Sequence, residues 1–263
     1  MLARVNNFSM AYDDQGGGRP LLLIHGFPLN RNLWEPQISD LSAVGRILAP
    51  DLRGHGGSEA VSGPYSMDLL ADDCNTLLDE IEIEQPAVIC GLSMGGYITL
   101  AFYRRYPQRV AGLILAATRA GADSAVGKAN RDKMASLAKE QGAGAVAAEL
   151  LPKMLSPRTY AADPELVERV SQILKANSVE GIIGDLMGMK GRPDSTVTLQ
   201  QINVPTLIIH GVDDQLIPLA EAESMHAAIQ DSRLHVVAEA GHLLNLEQPD
   251  VFNQAVREFL QSI

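Results

Sequence analysis

The amino-acid sequence predicts a protein of the α/β class with a largely parallel β-sheet. Continuous apolar runs, typical of strands covered on both faces, recur at residues 21–24, 86–90, 110–116 and 204–209. Segments with apolar residues at helical spacing separate the first three runs. This alternation predicts βαβ units with right-handed crossovers, which build parallel sheets. No internal repeat or linker divides the 263 residues.

The first half of the chain supplies these elements in order. The pattern predicts a short antiparallel start, a glycine turn, a strand, a helix and a second strand, at 2–13, 16–18, 21–24, 35–43 and 46–49. A loop rich in glycine and charge follows at 51–58. Ser66 suits the N-cap of the next helix, in which apolar residues repeat at helical spacing as far as Ile81.

The alternation breaks between about residues 121 and 200, where strand signals vanish. Four runs there predict short helices, at 133–139, 143–154, 164–176 and 179–189. We therefore expect a core of residues 1–119 and 201–263 with a helical cap, 120–200, inserted above the sheet. The methionines of the cap either line an adaptable pocket or pack in the ordinary way; they are Met134, Met154, Met187 and Met189.

The sheet resumes after this insertion. A strand is predicted at 204–209, a helix at 220–229 and a last strand at 234–237. A closing helix starts at Pro249 and carries an apolar face.

Residues 91–96 read Gly-Leu-Ser-Met-Gly-Gly and lie between a predicted buried strand and a predicted helix. A nucleophile elbow requires this context: the serine occupies a strained turn, and the glycines leave space that a Cβ would block. Ser93 would stand at a helix N-terminus, where backbone N–H groups can hold an oxyanion. The alternative is an ordinary glycine turn.

Two later strands are also followed by residues of types that act in catalysis. Asp213 and Asp214 follow the strand at 204–209, and His242 follows the last strand. A serine nucleophile needs a base, and a histidine base needs a carboxylate that fixes its tautomer. Ser93, an aspartate and His242 all lie beyond the carboxyl ends of predicted parallel strands, where such sheets bind ligands.

These segments resemble the α/β-hydrolase-fold enzymes over essentially the whole chain. The family's motifs H-G, D-x-R-G-x-G-x-S, G-x-S-M-G-G, G-x-x-D-x-x-x-P and G-H match residues 25–26, 51–58, 91–96, 211–218 and 241–242. The sequence is most similar to small bacterial carboxylesterases, enol-lactonases and cofactor-free haloperoxidase-like perhydrolases. The resemblance implies a mostly parallel eight-stranded sheet flanked by helices, an inserted helical cap and no cofactor.

The same motifs imply roles for individual residues. Ser93 matches the nucleophile, His242 the general base and acid, and Asp214 the residue that orients His242. The G-x-x-D-x-x-x-P register selects Asp214 over Asp213, which would be a solvated loop carboxylate. The oxyanion hole would consist of the backbone N–H groups of Phe27 and Met94.

The remaining candidates have structural interpretations. His25 is expected to order the oxyanion loop, and His210 to end a strand. Arg53 and His55 could touch substrate, but their loop resembles a structural feature of the family. Trp34 either walls the pocket or packs in the core, while His226 and His235 fall in peripheral elements.

Composition and charge disfavour several classes of function. A net charge of -11 and a pI near 5.0 oppose binding to nucleic acid or anionic membranes. Cys74 and Cys90 lack a CxxC partner and are expected to be buried thiols, and no histidine pattern suggests a metal site. Without a signal-peptide-like start or a membrane-spanning run, a cytoplasmic protein is expected. Oligomeric state is left open.

These observations predict a serine hydrolase that cleaves small carboxylic esters through an acyl-enzyme. The same three residues could act on a lactone, thioester or peracid, or cleave a carbon–carbon bond. A hydrolase-fold ligand receptor with little turnover is the alternative from another class. Serine at the elbow disfavours dehalogenase and epoxide hydrolase chemistry. The resemblance to this fold family implies that enzymes of those two classes have aspartate at this position.

Overall fold

Eight strands form one sheet in the computed structural model, which describes residues 1–263. In chain order they are β1 (Leu2–Val5), β2 (Phe8–Gly16), β3 (Pro20–Ile24), β4 (Arg46–Pro50), β5 (Ala87–Leu92), β6 (Val110–Ala116), β7 (Thr206–Gly211) and β8 (Ser232–Val237). Their order across the sheet is β1-β2-β4-β3-β5-β6-β7-β8. β2 pairs antiparallel with β1 and with β4, and every other pairing is parallel. The predicted mostly parallel sheet is confirmed.

Eleven helices accompany the sheet. They are α1 (Glu35–Leu41), α2 (Met67–Glu80), α3 (Met94–Arg105), α4 (Ala125–Leu150), α5 (Pro157–Ala162), α6 (Pro164–Lys175), α7 (Val179–Gly191), α8 (Thr196–Leu199), α9 (Leu219–Ala228), α10 (Leu244–Glu247) and α11 (Pro249–Ser262). None of them is both long enough and apolar enough to cross a membrane. The Ser66 hydroxyl accepts a hydrogen bond from the Leu69 N–H at 3.1 Å, so the predicted N-cap of α2 is confirmed.

The core lies on both faces of the sheet. Along β3, Leu22 and Ile24 join the apolar cluster on the side of α2, α3 and α9, whereas Leu21 and Leu23 join the cluster on the side of α1 and α11. Successive strand residues point to opposite faces, so a strand covered on both faces is apolar throughout. This explains why the continuous apolar runs identified the parallel strands correctly.

The chain between β6 and β7 is helical, as predicted, but its helix boundaries differ. α6 and α7 match their predicted ranges closely. The two earlier runs fall in α4, which begins at the Ser124 N-cap and consists of two helices joined across a kink at Gly142, where φ is 79°. The predicted break between these two runs is therefore confirmed, although the first helix starts earlier than predicted. The short helices α5 and α8 were missed. The division into a core and a cap domain stays a prediction.

Helix α7 is joined to the 51–58 loop by buried polar contacts. The N–H and hydroxyl of Ser178 donate to the Gly54 carbonyl at 3.0 and 2.8 Å. His55 Nε2 lies 3.2 Å from Asp185 Oδ2, and both side chains are fully buried. Burial lowers the pKa of His55 to about 3 and raises the pKa of Asp185 well above its ordinary value. The pair is therefore neutral, which avoids the cost of burying charge.

Arg53 connects the same loop to α2. Its guanidinium donates two hydrogen bonds to Asp73, both 2.6 Å long, and lies over the Phe8 ring at 4.7 Å. Both charged side chains are almost completely buried. Arg53 and His55 are thus used in contacts that fix the loop and do not line the cavity described below.

Replacement of Asp73 by asparagine is expected to lower the free energy of unfolding by about 3 kcal/mol, because the Arg53 guanidinium would stay buried without a counter-charge. The control is Asp79→Asn in the same helix. The Asp79 side chain pairs with Arg109 and is 56% exposed, so its loss should cost less than about 1 kcal/mol. Urea unfolding followed by circular dichroism measures both variants. Similar small losses would contradict a stabilising role for the buried pair.

Candidate active site

Ser93 lies at the turn from β5 into α3, and its backbone is strained. Its φ and ψ are 57° and -114°, a conformation that costs a non-glycine residue on the order of 1–3 kcal/mol. The Ser93 N–H donates to the Ala116 carbonyl of β6 at 2.9 Å, and its own carbonyl accepts from Thr118 Oγ1 at 2.7 Å. The turn leaves Ser93 partly exposed between buried neighbours.

The glycines around Ser93 allow α3 to start directly against the sheet. A Cβ on Gly91 would lie 2.1 Å from the Gly95 carbonyl oxygen, and a Cβ on Gly95 would lie 2.1 Å from the Ile24 carbonyl oxygen. Neither position has space for any side chain. Residues 91–96 therefore have the geometry of a nucleophile elbow and not that of an unconstrained turn.

Asp214 and His242 meet at the same edge of the sheet. Asp214 follows β7 and His242 follows β8, and His242 Nδ1 donates to Asp214 Oδ2 at 2.8 Å. The other carboxylate oxygen, Oδ1, accepts from the N–H groups of Leu216 and Ile217 at 2.8 and 3.0 Å. Asp214 thereby fixes the proton of His242 on Nδ1, which leaves Nε2 able to accept another.

The surroundings of Asp214 keep its carboxylate charged. Burial alone would raise its pKa, but the His242 ring and the two backbone N–H groups together hold the pKa below its ordinary value. His210 Nε2 lies 3.6 Å from Asp214 Oδ2, yet it donates to the Ile217 carbonyl, and burial lowers its pKa. Asp213 is exposed, and the ion pairs and hydrogen bonds that His210 and His242 form with an aspartate all involve Asp214. The choice of Asp214 over Asp213 as the orienting residue stays a prediction.

The segment His25-Gly26-Phe27-Pro28 packs against the Ser93 turn. A Cβ on Gly26 would lie 3.1 Å from the Ser93 Cβ. The Phe27 N–H donates to no acceptor in the protein, and the Met94 N–H is the first of α3, where no intrahelical acceptor exists. Both predicted oxyanion donors are therefore free for a ligand.

His25 holds this segment in place, as expected. The Leu52 N–H donates to His25 Nε2 at 3.0 Å, so the ring proton is on Nδ1, which donates to the Gly26 carbonyl at 2.9 Å. Burial lowers the pKa of His25 to about 4, and the ring is neutral at physiological pH. A neutral imidazole can accept and donate at the same time, and both bonds need that form.

Two positioning residues were missed in the sequence. Asn177 donates to the Pro28 carbonyl at 2.6 Å and accepts from the Gly56 N–H at 3.1 Å, so it joins the oxyanion segment to the 51–58 loop. Glu247 accepts from the Gly241 N–H at 2.7 Å, directly beside His242. Neither residue belongs to a motif, and their partners are distant in the chain, so no local signal marks them.

A cavity of about 130 Å³ opens beside Ser93 and His242. Its apolar wall comes partly from the segment between β6 and β7, which contributes Leu150, Met154 and Met189. Met154 and Met189 therefore have the pocket position considered in the sequence, whereas Met134 and Met187 pack against the core instead. Trp34 is fully buried against Phe252 and does not reach the cavity.

Two arginines in the cavity wall were also missed. Arg119 follows the end of β6, and Arg131 comes from α4. The rule that ligands bind beyond the carboxyl ends of parallel strands could have identified Arg119. Arg131 carries no such signal, because its position depends on how α4 packs.

Comparison with known proteins agrees with this geometry. The family model described as the alpha/beta hydrolase fold matches residues 19–249. A thermophilic esterase from Thermogutta terrifontis, solved with malate bound, superposes with a TM-score of 0.97 at 38% sequence identity, covering 100% of this chain and 98% of that one.

Two enol-lactonases are also similar. 3-Oxoadipate enol-lactonase 2 of Acinetobacter baylyi is 33% identical over 245 residues, which span 92% of this chain and 89% of the relative. The enol-lactonase from Burkholderia xenovorans LB400 superposes with a TM-score of 0.92 at 29% identity, covering 99% of this chain and 100% of that one. The elbow, the sheet and these similarities together show that the chain belongs to the alpha/beta hydrolase family.

Proposed function

We propose that this protein is a serine hydrolase that cleaves small carboxylic esters through a covalent acyl-enzyme. Ser93 is the nucleophile, His242 the general base and acid, and Asp214 the residue that orients His242. The observation that carries the proposal is the Asp214–His242 hydrogen bond of 2.8 Å, made by a histidine that shares its cavity with the strained Ser93. A histidine held in this way by a carboxylate suits a base that must gain and lose a proton.

In the first step, Ser93 Oγ attacks the ester carbonyl while His242 Nε2 takes its proton. The imidazolium that forms is stabilised by the Asp214 carboxylate. The carbonyl oxygen becomes an oxyanion, which accepts hydrogen bonds from the Phe27 and Met94 N–H groups. One such donor contributes about 3 kcal/mol to transition-state stabilisation in comparable sites.

In the second step, His242 returns its proton to the leaving alcohol and the ester bond breaks. A water molecule then attacks the acyl-enzyme, with His242 as base again, and the acid is released from Ser93. No step requires a metal ion or an organic cofactor.

The shape of the cavity supports small substrates. Its volume of about 130 Å³ and the side chains from the helices between β6 and β7 favour a covered pocket over an open lipid-binding surface. We assign these helices to a cap, residues 120–200. A lactone is a cyclic ester and would follow the same steps, which agrees with the similarity to enol-lactonases. The two free, buried cysteines suit our assignment to the cytoplasm.

Hydrolysis of a p-nitrophenyl ester series from acetate to palmitate tests the reaction class. Short chains should turn over rapidly, and Ser93→Ala should abolish this activity because no other group can form the acyl-enzyme. Absorbance of p-nitrophenolate measures the rates. Equal rates for the wild-type protein and Ser93→Ala would contradict the esterase proposal and favour carbon–carbon hydrolysis or ligand binding.

The two neighbouring aspartates provide a matched test of the role assigned to Asp214, the orientation of His242. Asp214→Asn should lower kcat about 10³- to 10⁴-fold, because the amide cannot hold the His242 tautomer or stabilise the imidazolium. Asp213→Asn removes the same charge from the exposed neighbour and should keep most of the activity. Steady-state kinetics on a short-chain ester measures both, and the reverse ranking would overturn the assignment.

A further inference from the structure

Three arginines surround one buried carboxylate next to the cavity. Asp123 accepts hydrogen bonds from Arg119 at 2.7 Å and from Arg131 at 3.0 Å, and Arg192 Nη1 forms an ion pair with it at 2.8 Å. Burial would raise the pKa of Asp123, but the guanidinium groups of Arg131 and Arg192 hold it at about 2. The carboxylate is therefore charged, and three guanidinium groups face this one carboxylate.

Glu221 and Asp194 interact electrostatically with Arg119 and Arg192, respectively, and offset part of the positive charge of this cluster. Asp132 forms its own pair with Lys190 at 2.6 Å. Asp185 interacts electrostatically with Arg131, but it is fully buried, and burial raises its pKa well above the ordinary value. The cavity itself is lined by Arg119 and Arg131 and by no acidic residue, so its wall is cationic in a protein whose net charge is -11.

The three arginines differ in what they can reach. The Arg192 side chain is 3% exposed, donates to the Gly121 carbonyl at 2.7 Å and lies over the Tyr97 ring at 4.0 Å, so it is used structurally. Arg119 and Arg131 line the cavity, with side chains 28% and 24% exposed. They keep donors that Asp123 alone does not satisfy.

The cationic wall is built close to the proposed nucleophile. Arg119 directly follows Thr118, whose hydroxyl donates to the Ser93 carbonyl at 2.7 Å. Arg119 and Arg131 line the same cavity as Ser93 and His242. A ligand in this small space must therefore meet both the hydroxyl of Ser93 and the guanidinium groups.

We propose that the preferred substrate is an ester or lactone with a free carboxylate near the scissile carbonyl, and that Arg119 and Arg131 bind this carboxylate. Guanidinium groups match carboxylates with paired, charge-assisted hydrogen bonds. The inference rests on the proposed esterase function and narrows it to anionic substrates. Arg119 and Arg131 are thus the residues that determine specificity.

Two p-nitrophenyl esters of equal chain length test the proposal: the monoester of glutaric acid, which is anionic, and the neutral pentanoate. The wild-type protein should have the higher kcat/KM on the glutarate monoester. Arg131→Gln should lower that value about 10- to 100-fold, the usual effect of losing a hydrogen bond to a charged group, and should change the pentanoate value less than about twofold. Asp123 would keep Arg119 and Arg192, so the fold should persist.

The matched control is Arg158→Gln, which removes an exposed arginine paired with Glu239 outside the cavity. It should leave both values unchanged. A wild-type preference for pentanoate, or an equal loss on both esters in Arg131→Gln, would overturn the proposal.

A binding measurement separates this inference from the esterase function. Glutarate should bind to Ser93→Ala, and the added Arg131→Gln change should weaken binding about tenfold or more by isothermal titration calorimetry. This result would stand even if no ester were hydrolysed. No glutarate binding to Ser93→Ala, or equal binding to both proteins, would contradict the carboxylate site.

Discussion

The strained backbone of Ser93 is the constraint around which this molecule is arranged. A conformation that costs on the order of 1–3 kcal/mol persists only if its surroundings determine it, and here the neighbouring strand and Thr118 each hold the turn by a hydrogen bond. Gly91 and Gly95 let α3 start against the sheet, where a Cβ would collide with backbone. Ala117 and Glu239, which follow β6 and β8, also have positive φ values. The loops after these two strands carry Arg119 and His242, which line the same cavity as Ser93.

Some of the buried titratable groups around the site are neutral, and others are charged. His25, His55 and Asp185 are buried in forms without charge and serve to fix loops. Asp214 is buried too, yet it stays ionised because it accepts from His242 and two backbone N–H groups. The cavity wall adds an excess of positive charge from Arg119 and Arg131. In our account, the first set provides rigidity, Asp214 supports the base, and the arginines select the substrate.

Much of the fold and of the central site could be predicted, because both rest on local patterns. A strand covered on two faces must be apolar throughout, and an elbow needs glycines at fixed spacing, so β3, β5 and residues 91–96 were found directly. The helices after β6 were found in part: the break at Gly142 was predicted, but the short helices α5 and α8 carry too few residues to show a helical period. Asn177, Glu247 and Arg131 were missed because their roles depend on partners far away in the chain. Long-range packing decides those positions, and no short window of sequence records it.

The most direct test of the account is to trap the covalent intermediate. The protein is mixed with a short-chain p-nitrophenyl ester, quenched in acid within the first turnover and digested for peptide mass spectrometry. In His242→Asn, the base that activates both Ser93 and water is missing, so the acyl group should form slowly and be lost slowly. We predict a single acyl group on the peptide that contains Ser93, located on Ser93 by fragmentation and absent from Ser93→Ala. Turnover without any acyl group on Ser93, or an acyl group on another residue, would contradict the mechanism.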